Sequence, residues 1–141
     1  MPYIKLLVHA VWATKDRKQL MSLENKRLIC QHIRDNAALK NIHLYNVNGY
    51  HEHLHALISL TSEQNVSTVV NLIKGESSFW ANRNLQLPEK FGWQDDYFAV
   101  SVSQSHFEAV NNYISNQEDH HKKKTFKDEY DEFIKNYHFE V

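Results

Sequence analysis

Cysteine, glycine and proline are all scarce in this chain of 141 residues. The single cysteine, Cys30, cannot form an internal disulfide, which excludes a disulfide-stapled secreted scaffold and favours a reducing compartment. Three Gly and two Pro predict mostly regular structure with short connections. No apolar stretch reaches the ~18 residues of a membrane span, and the first residues do not resemble a signal peptide. We therefore expect a cytoplasmic protein that does not enter a membrane.

An excess of either charge is also missing, because 16 Lys and Arg face 17 Asp and Glu. This balance removes bulk charge as a route to nucleic-acid binding but leaves room for a local basic groove. The length predicts a single domain over residues 1–141, with a core at about 3–121 and a charged tail at about 122–141 that is compatible with a short helix near 126–137. Histidine is abundant by contrast: ten are present, and three of them fall within residues 51–55.

Hydrophobic patterning predicts a mixed α+β fold. Strands are predicted over residues 3–12, 42–48, 53–60 and 97–103, and helices over about 23–38, 66–82 and 105–121. The order β-α-β-β-α-β, followed by a C-terminal helix, is typical of a ferredoxin-like antiparallel sheet with helices on one face. We expect the other face to be free for a ligand or a second subunit.

The most regular predicted strand carries His53 and His55 on one face. Alternate residues of a strand lie roughly 7 Å apart, so both imidazoles could reach one cation. The alternative is a chance pair of exposed histidines in a histidine-rich chain.

The last predicted helix presents a second polar face. Tyr113, Gln117 and His120 or His121 follow one another at i, i+4 and i+7 or i+8. This face combines a phenol, an amide oxygen and imidazoles. A tyrosine with a pKa near 10 is a poor nucleophile until a metal or a base helps it. The alternative is a boundary tyrosine beside solvated polar groups.

Two further segments are candidates for phosphate contact. Lys74 and Ser77 lie in a stretch of small and hydroxylic residues, which allows close approach of a backbone or phosphate, although a packing contact is equally compatible. Lys122 and Lys123 belong to a cationic run that is either a solvated tail or a phosphate-binding element.

Together these motifs resemble a known family. The run from Glu52 to Ile58 resembles the acidic-His-hydrophobic-His signature of HUH-class endonucleases, and Tyr113-Ile-Ser-Asn-Gln117 resembles the downstream tyrosine helix of the single-tyrosine transposases of small bacterial insertion sequences. The segment ending at Arg17 resembles the first-strand exit of that IS200-like, TnpA-type family. The resemblance extends from about Tyr3 to Tyr130, and the pair of motifs in this order makes it specific.

The resemblance implies a transposase that cuts and rejoins hairpin-bearing single-stranded DNA without a nucleotide cofactor. Tyr113 would be the catalytic nucleophile on a C-terminal catalytic helix and would form a 5′-phosphotyrosine. His53, His55 and a third ligand would hold Mg²⁺ or Mn²⁺; by position the third ligand is Gln117, with His121 or His120 as alternatives. Homodimerisation through the sheet edge is also implied. The residues expected to contact DNA are Arg17, Lys74, Ser77, Lys122 and Lys123.

Three other functions remain open from the sequence. A domesticated relative would nick chromosomal repeat hairpins without moving an element. An inactive module of the same fold would only bind single-stranded DNA, which intact His53, His55 and Tyr113 disfavour. A metallo-hydrolase unrelated to DNA would use the histidines and ignore Tyr113.

Overall fold

Residues 3–137 are described by a computed structural model, in which four strands and five α-helices follow one another. The strands are β1 (Leu6–Ala13), β2 (His43–Gly49), β3 (His53–Leu60) and β4 (Phe98–Val102), and the helices are α1 (Leu23–Leu39), α2 (Val66–Asn84), α3 (Phe107–Ser115), α4 (Gln117–His120) and α5 (Phe126–Asn136). The predicted order of strands and helices is confirmed up to β4. Ser22, Asn65 and Thr125 cap α1, α2 and α5 by accepting a backbone N–H with their side chains.

The sheet has the strand order β2-β3-β1-β4, and every neighbouring pair is antiparallel. The predicted α+β class with an antiparallel sheet is therefore confirmed. One face of the sheet packs against α1 and α2 to form the main core, in which Ala10, Trp12, Ile29 and Val70 are buried. None of the helices in the described part of the chain combines the length and apolarity that a bilayer crossing demands.

The second face of the sheet is covered, and the expectation of a free face was wrong. Helix α5 begins inside the segment predicted to be a charged tail, and its Phe126 joins Val11, Ala13 and Phe98 in a second, smaller core. The aromatic residues of α5 make this burial favourable, because each removes a large apolar area from water. The final part of the predicted tail, residues 138–141, lies outside the described residues.

The predicted helix over 105–121 is interrupted at Asn116, which separates α3 from α4. The cause is Asn48 on β2, whose Nδ2 donates to the carbonyl oxygens of Ile114 and Ser115 at 3.0 and 3.1 Å. These carbonyls lie in the last turn of α3, where intrahelical partners run out. The interruption sets the direction of α4 relative to Tyr113 on α3.

Candidate metal centre and its tyrosine

Two imidazoles project from β3 into the interior between the sheet and the C-terminal helices. His53 and His55 are both completely buried, rather than exposed as expected, because α5 covers this face. Their Nε2 atoms lie 3.4 and 3.0 Å from Oε1 of Glu129 on α5. The predicted side-by-side placement of the two rings on one strand face is confirmed, with ring centroids 5.1 Å apart.

Helix α4 and the residue after it bring two more ligand atoms to the same point. Gln117 is fully buried, and its Oε1 lies 3.1 Å from His53 Nε2 and 2.9 Å from His121 Nε2. His121 Nε2 is also 3.4 Å from Glu129 Oε1. The two alternatives for a third ligand, Gln117 and His121, therefore occupy one cluster together.

His120 also approaches this cluster, from its edge. Its Nε2 lies 3.2 Å from Glu129 Oε2, and within residues 3–137 it makes no hydrogen bond of good geometry.

Glu129 is the member that sequence reasoning missed. It lies in the predicted tail, yet it is 2% exposed and its carboxylate is surrounded by imidazoles. Atoms of His53, His55, His121 and Glu129 that could bind a metal all lie within 4.8 Å of one another. The signal available in the sequence was the aromatic stripe of Phe126, Tyr130 and Phe133 at helical spacing, which predicts a buried face on this segment.

A second layer of partners fixes the orientation of each of the three imidazoles. The Nδ1 atom of His53 lies 2.7 Å from Glu52 Oε1, and that of His121 lies 2.8 Å from the carbonyl oxygen of Lys124. His55 Nδ1 lies 2.8 Å from Nε2 of His9 on β1, a histidine without an assigned role in the sequence. With the proton on Nδ1, each ring directs its Nε2 lone pair to the cluster, as metal-binding histidines do.

The electrostatics favour neutral imidazoles at His9 and His55. Burial and the neighbouring His55 lower the pKa of His9 to about 3. Burial also lowers the pKa of His55 to about 4, against the attraction of Glu129. Burial opposes protonation of His53 as well, but hydrogen bonds to Glu129 and Glu52 outweigh it and raise its pKa. The buried carboxylate of Glu129 thus attracts positive charge that a protonated histidine or a cation can supply.

The donor set fits a divalent metal ion. Imidazole nitrogens, one carboxylate and one amide oxygen are ligands that metals such as Mn²⁺ accept, and neutral His with ionised Glu is the form that binds. Second-layer hydrogen bonds of the kind made by Glu52 and His9 accompany most metal-binding histidines. Mg²⁺ prefers an all-oxygen environment, so a nitrogen-rich cluster is less suited to it.

Tyr113 lies beside this cluster in the same chain. Its hydroxyl donates to Glu129 Oε2, and its ring centroid is 5.6 Å from that of His55. Burial and the hydrogen bond to Glu129 raise the pKa of Tyr113, so the phenol keeps its proton in this arrangement. A cleft of about 290 Å³ is lined by Tyr113, His9, Glu129 and Phe133.

The residues expected to contact DNA differ in how deeply they are buried. Ser77 is completely buried, where its hydroxyl donates to the carbonyl of Lys74 and accepts from the Trp93 indole. Lys74 is 7% exposed and donates to the carbonyl of Asp95. These contacts hold α2 to the segment before β4, and the DNA contact expected of both residues stays a prediction.

The remaining expected contacts lie at the surface. Lys122 and Lys123 are exposed next to the cluster, with Lys122 3.3 Å from Asp119. Arg17 is exposed in the loop after β1 and lies over the rings of Phe126 and Tyr130.

A family model described as "Transposase IS200 like" matches residues 3–117. Among characterised proteins, the chain is similar to the ISDra2 transposase TnpA of Deinococcus radiodurans. The two are 28% identical over 123 residues, which cover 82% of this chain and 86% of the relative.

Two solved structures have a similar fold. A crystal structure of a protein from Deinococcus radiodurans R1, described as a transposase, superposes with a TM-score of 0.64 at 27% identity, covering 82% of this chain and 93% of the other. A REP-associated tyrosine transposase bound to a REP hairpin superposes with a TM-score of 0.63, covering 86% of this chain and 72% of the other. At 15% identity, the second likeness concerns the fold alone.

Proposed function

Because this chain belongs to the IS200-like transposase family, we propose that it cuts and rejoins single-stranded DNA through a covalent bond to Tyr113. Membership of the family makes it a DNA-processing transposase, whereas the nucleophile, the metal and the form of the DNA are parts of the proposal. The observation that carries it is the meeting, in one chain, of a phenol hydroxyl and a buried cluster of ligand atoms beside a cleft.

We assign the metal-binding role to His53, His55, His121 and Glu129, with Gln117 contributing its amide oxygen. The family resemblance implies Gln117 as the third ligand. Glu129 joins the proposed ligand set because its Oε1 lies within 3.4 Å of the Nε2 atoms of all three histidines. A bound Mn²⁺ or Mg²⁺ would supply Lewis-acid polarisation of the scissile phosphate. Of the two ions, the nitrogen-rich ligand set favours Mn²⁺.

The chain's own groups account for the covalent step. The Tyr113 oxygen attacks phosphorus, and the bond between phosphorus and the 3′ oxygen of the preceding nucleotide breaks. This leaves a 5′-phosphotyrosine and a strand that ends in a 3′ hydroxyl. The phenol proton passes to Glu129 Oε2, which accepts the Tyr113 hydrogen bond before reaction, and the departing 3′ oxygen takes its proton from solvent water. Attack by another 3′ hydroxyl reverses the step and rejoins DNA without a nucleotide cofactor.

Hairpin-bearing single strands are the proposed substrate. The family resemblance implies them, and a relative of the same fold is bound to a REP hairpin. The homodimer implied by the resemblance stays a prediction. Tyr113 already reaches the metal cluster of its own chain, which supports attack in cis.

The test is formation of a covalent adduct. The protein is incubated with Mn²⁺ and a labelled, hairpin-bearing single strand from the DNA that flanks its own gene, and the products are separated on a denaturing gel. We expect a labelled protein band that is lost with Tyr113→Phe and with EDTA. Tyr45→Phe, which changes an exposed tyrosine on β2, is the matched control and should retain the band.

Each alternative function gives a different result. An adduct that persists in Tyr113→Phe refutes the assigned nucleophile. Cutting without an adduct supports a hydrolase, and binding without cutting supports an inactive module. A cut strand that is never rejoined to an added 3′ hydroxyl supports a nicking endonuclease.

A further inference from the structure

A second cavity lies along α5 beside the tyrosine cleft. It has a volume of about 120 Å³, well above the roughly 10–15 Å³ that one water molecule needs. Strands β1 and β4 are paired as far as Val11 and Phe98. Beyond that pair, the next bridge joins Thr14, just after β1, to Trp93. The intervening residues of both segments line the cavity.

The walls of this cavity are aromatic on one side and polar on the other. Phe126, Tyr130 and Phe133 of α5 line the aromatic side, and Gln94 and Asp96 line the polar side. Within residues 3–137, the carboxylate of Asp96 makes no hydrogen bond and no ion pair. A site with flat apolar rings and a carboxylate at its edge suits a planar, hydrogen-bonding ligand.

Arg17 lies at this cavity in an unusual backbone conformation. Asp16 and Arg17 have φ values of 57° and 53°, a region that costs non-glycine residues roughly 1–3 kcal/mol each. The turn is held by the Asp16 backbone N–H, which donates to Gln94 Oε1 at 2.8 Å. The guanidinium carbon is thereby placed 4.6 Å from the Tyr130 ring centroid and 5.3 Å from that of Phe126. Among the described residues, no carboxylate forms an ion pair with it.

The cavity is close to the proposed chemistry. The Phe126 ring stacks on the metal-cluster histidine His53, with centroids 4.0 Å apart and planes 8° apart. Phe133 lines both this cavity and the cleft beside Tyr113. The cavity and the cleft therefore share a wall at Phe133, next to the histidine cluster.

We propose that this cavity binds one nucleobase of the single strand that is cut at Tyr113. The base stacks on the exposed Arg17 guanidinium, which itself lies over the Phe126 and Tyr130 rings, as single-stranded nucleic acid does on arginine planes. Asp96 accepts a hydrogen bond from an exocyclic amino group, so adenine, cytosine or guanine is preferred to thymine. The cavity thus selects the nucleotide next to the cut, an inference that rests on the proposed function for its choice of DNA as ligand.

The experiment measures binding of the full-length protein in EDTA, so that no cutting occurs. The probes are a fluorescein-labelled oligoadenylate, an oligothymidylate and an abasic strand of equal length, followed by fluorescence anisotropy. Arg17→Lys keeps the positive charge but removes the planar stacking surface. We expect it to weaken oligoadenylate binding about fivefold or more while leaving the abasic strand unchanged. Asp96→Asn should reduce the preference for oligoadenylate over oligothymidylate.

Lys15→Ala is the matched control, because Lys15 is an exposed cation in the same loop and does not line the cavity. It should weaken binding of the adenylate and abasic strands by equal factors. Equal weakening of both strands by Arg17→Lys and Arg17→Ala, or no change in either, overturns the base pocket. If the wild-type protein forms its Tyr113 adduct while base dependence is absent, only the pocket is refuted. If no adduct forms, the proposed function itself is refuted.

Discussion

Gly49, at the end of β2, is the position where the smallest change should disturb the candidate site most. A Cβ atom at this residue would lie 2.0 Å from the carbonyl oxygen of His53 and 2.8 Å from Cα of Leu54. Both contacts are with backbone, so no side chain can rotate away to relieve them. The same His53 carbonyl accepts the N–H of Tyr50 at 3.0 Å in the turn between β2 and β3.

The magnitude of the Gly49→Ala effect follows from these contacts. Overpacking of this kind costs about 1–3 kcal/mol, and the loss of the Tyr50 hydrogen bond adds about 1 kcal/mol. We therefore expect the free energy of unfolding to fall by about 2–4 kcal/mol. At about 2–4 °C per kcal/mol, Tm should fall by about 4–16 °C. Because His53 moves with its carbonyl, Mn²⁺ affinity should fall as well.

Gly75→Ala is the matched control within the same chain. A Cβ at Gly75, inside α2, would have nothing within 4 Å. Alanine in the middle of a helix is favoured over glycine by about 0.5–1 kcal/mol, so Tm should rise by about 1–4 °C. The measurements are thermal unfolding by circular dichroism and Mn²⁺ titration by calorimetry. If Gly49→Ala unfolds at the wild-type temperature or above it, the packing argument is refuted.

Three further predictions concern the cluster itself. His9→Phe should lower Mn²⁺ affinity about 10- to 100-fold in calorimetry, because His55 loses the partner of its Nδ1 atom; unchanged affinity would exclude an orienting role. Glu129→Gln should weaken Mn²⁺ binding and abolish the adduct, since it removes both a metal ligand and the acceptor of the Tyr113 proton; a fully active variant would exclude both roles. Mixing Tyr113→Phe with His53→Ala protein should give no adduct if attack is in cis, whereas recovery of the band would show attack in trans.

The sequence predicted the two halves of the site that lie on regular elements. His53 and His55 alternate on a strand, as local periodicity predicts, and Tyr113 and Gln117 were expected on one helix, which the structure divides at Asn116. Local periodicity also predicts the order of strands and helices up to β4. These features depend on neighbours in sequence, and propensity and hydrophobic pattern describe such neighbours well.

The sequence could not reveal contacts between distant segments. His9 and Glu129 join the site from β1 and α5, at separations of 46 and 74 residues from His55. The covered sheet face was missed for the same reason. The charges of α5 suggested a tail, whereas its aromatic residues gain more by packing on the sheet than the segment loses by ordering.

The short helix α4 raises the question of what holds Gln117 and His121 in position, because four residues cannot form a stable helix alone. Helix α1 supplies the contacts that hold α4. Lys26 of α1 is 1% exposed, and its Nζ lies 2.5 Å from Glu118 Oε2 and 2.6 Å from Asn48 Oδ1.

Glu118 faces α1 while Gln117 beside it faces the histidine cluster, so one short segment combines anchoring with the proposed ligation. Arg27 adds a second contact to the same carboxylate at 2.6 Å, and hydrogen bonds from Lys26 and Arg27 hold the pKa of Glu118 down to about 2. The carboxylate stays ionised near neutral pH and keeps both partners. The geometry of the cluster therefore depends on α1, which contributes no ligand to it.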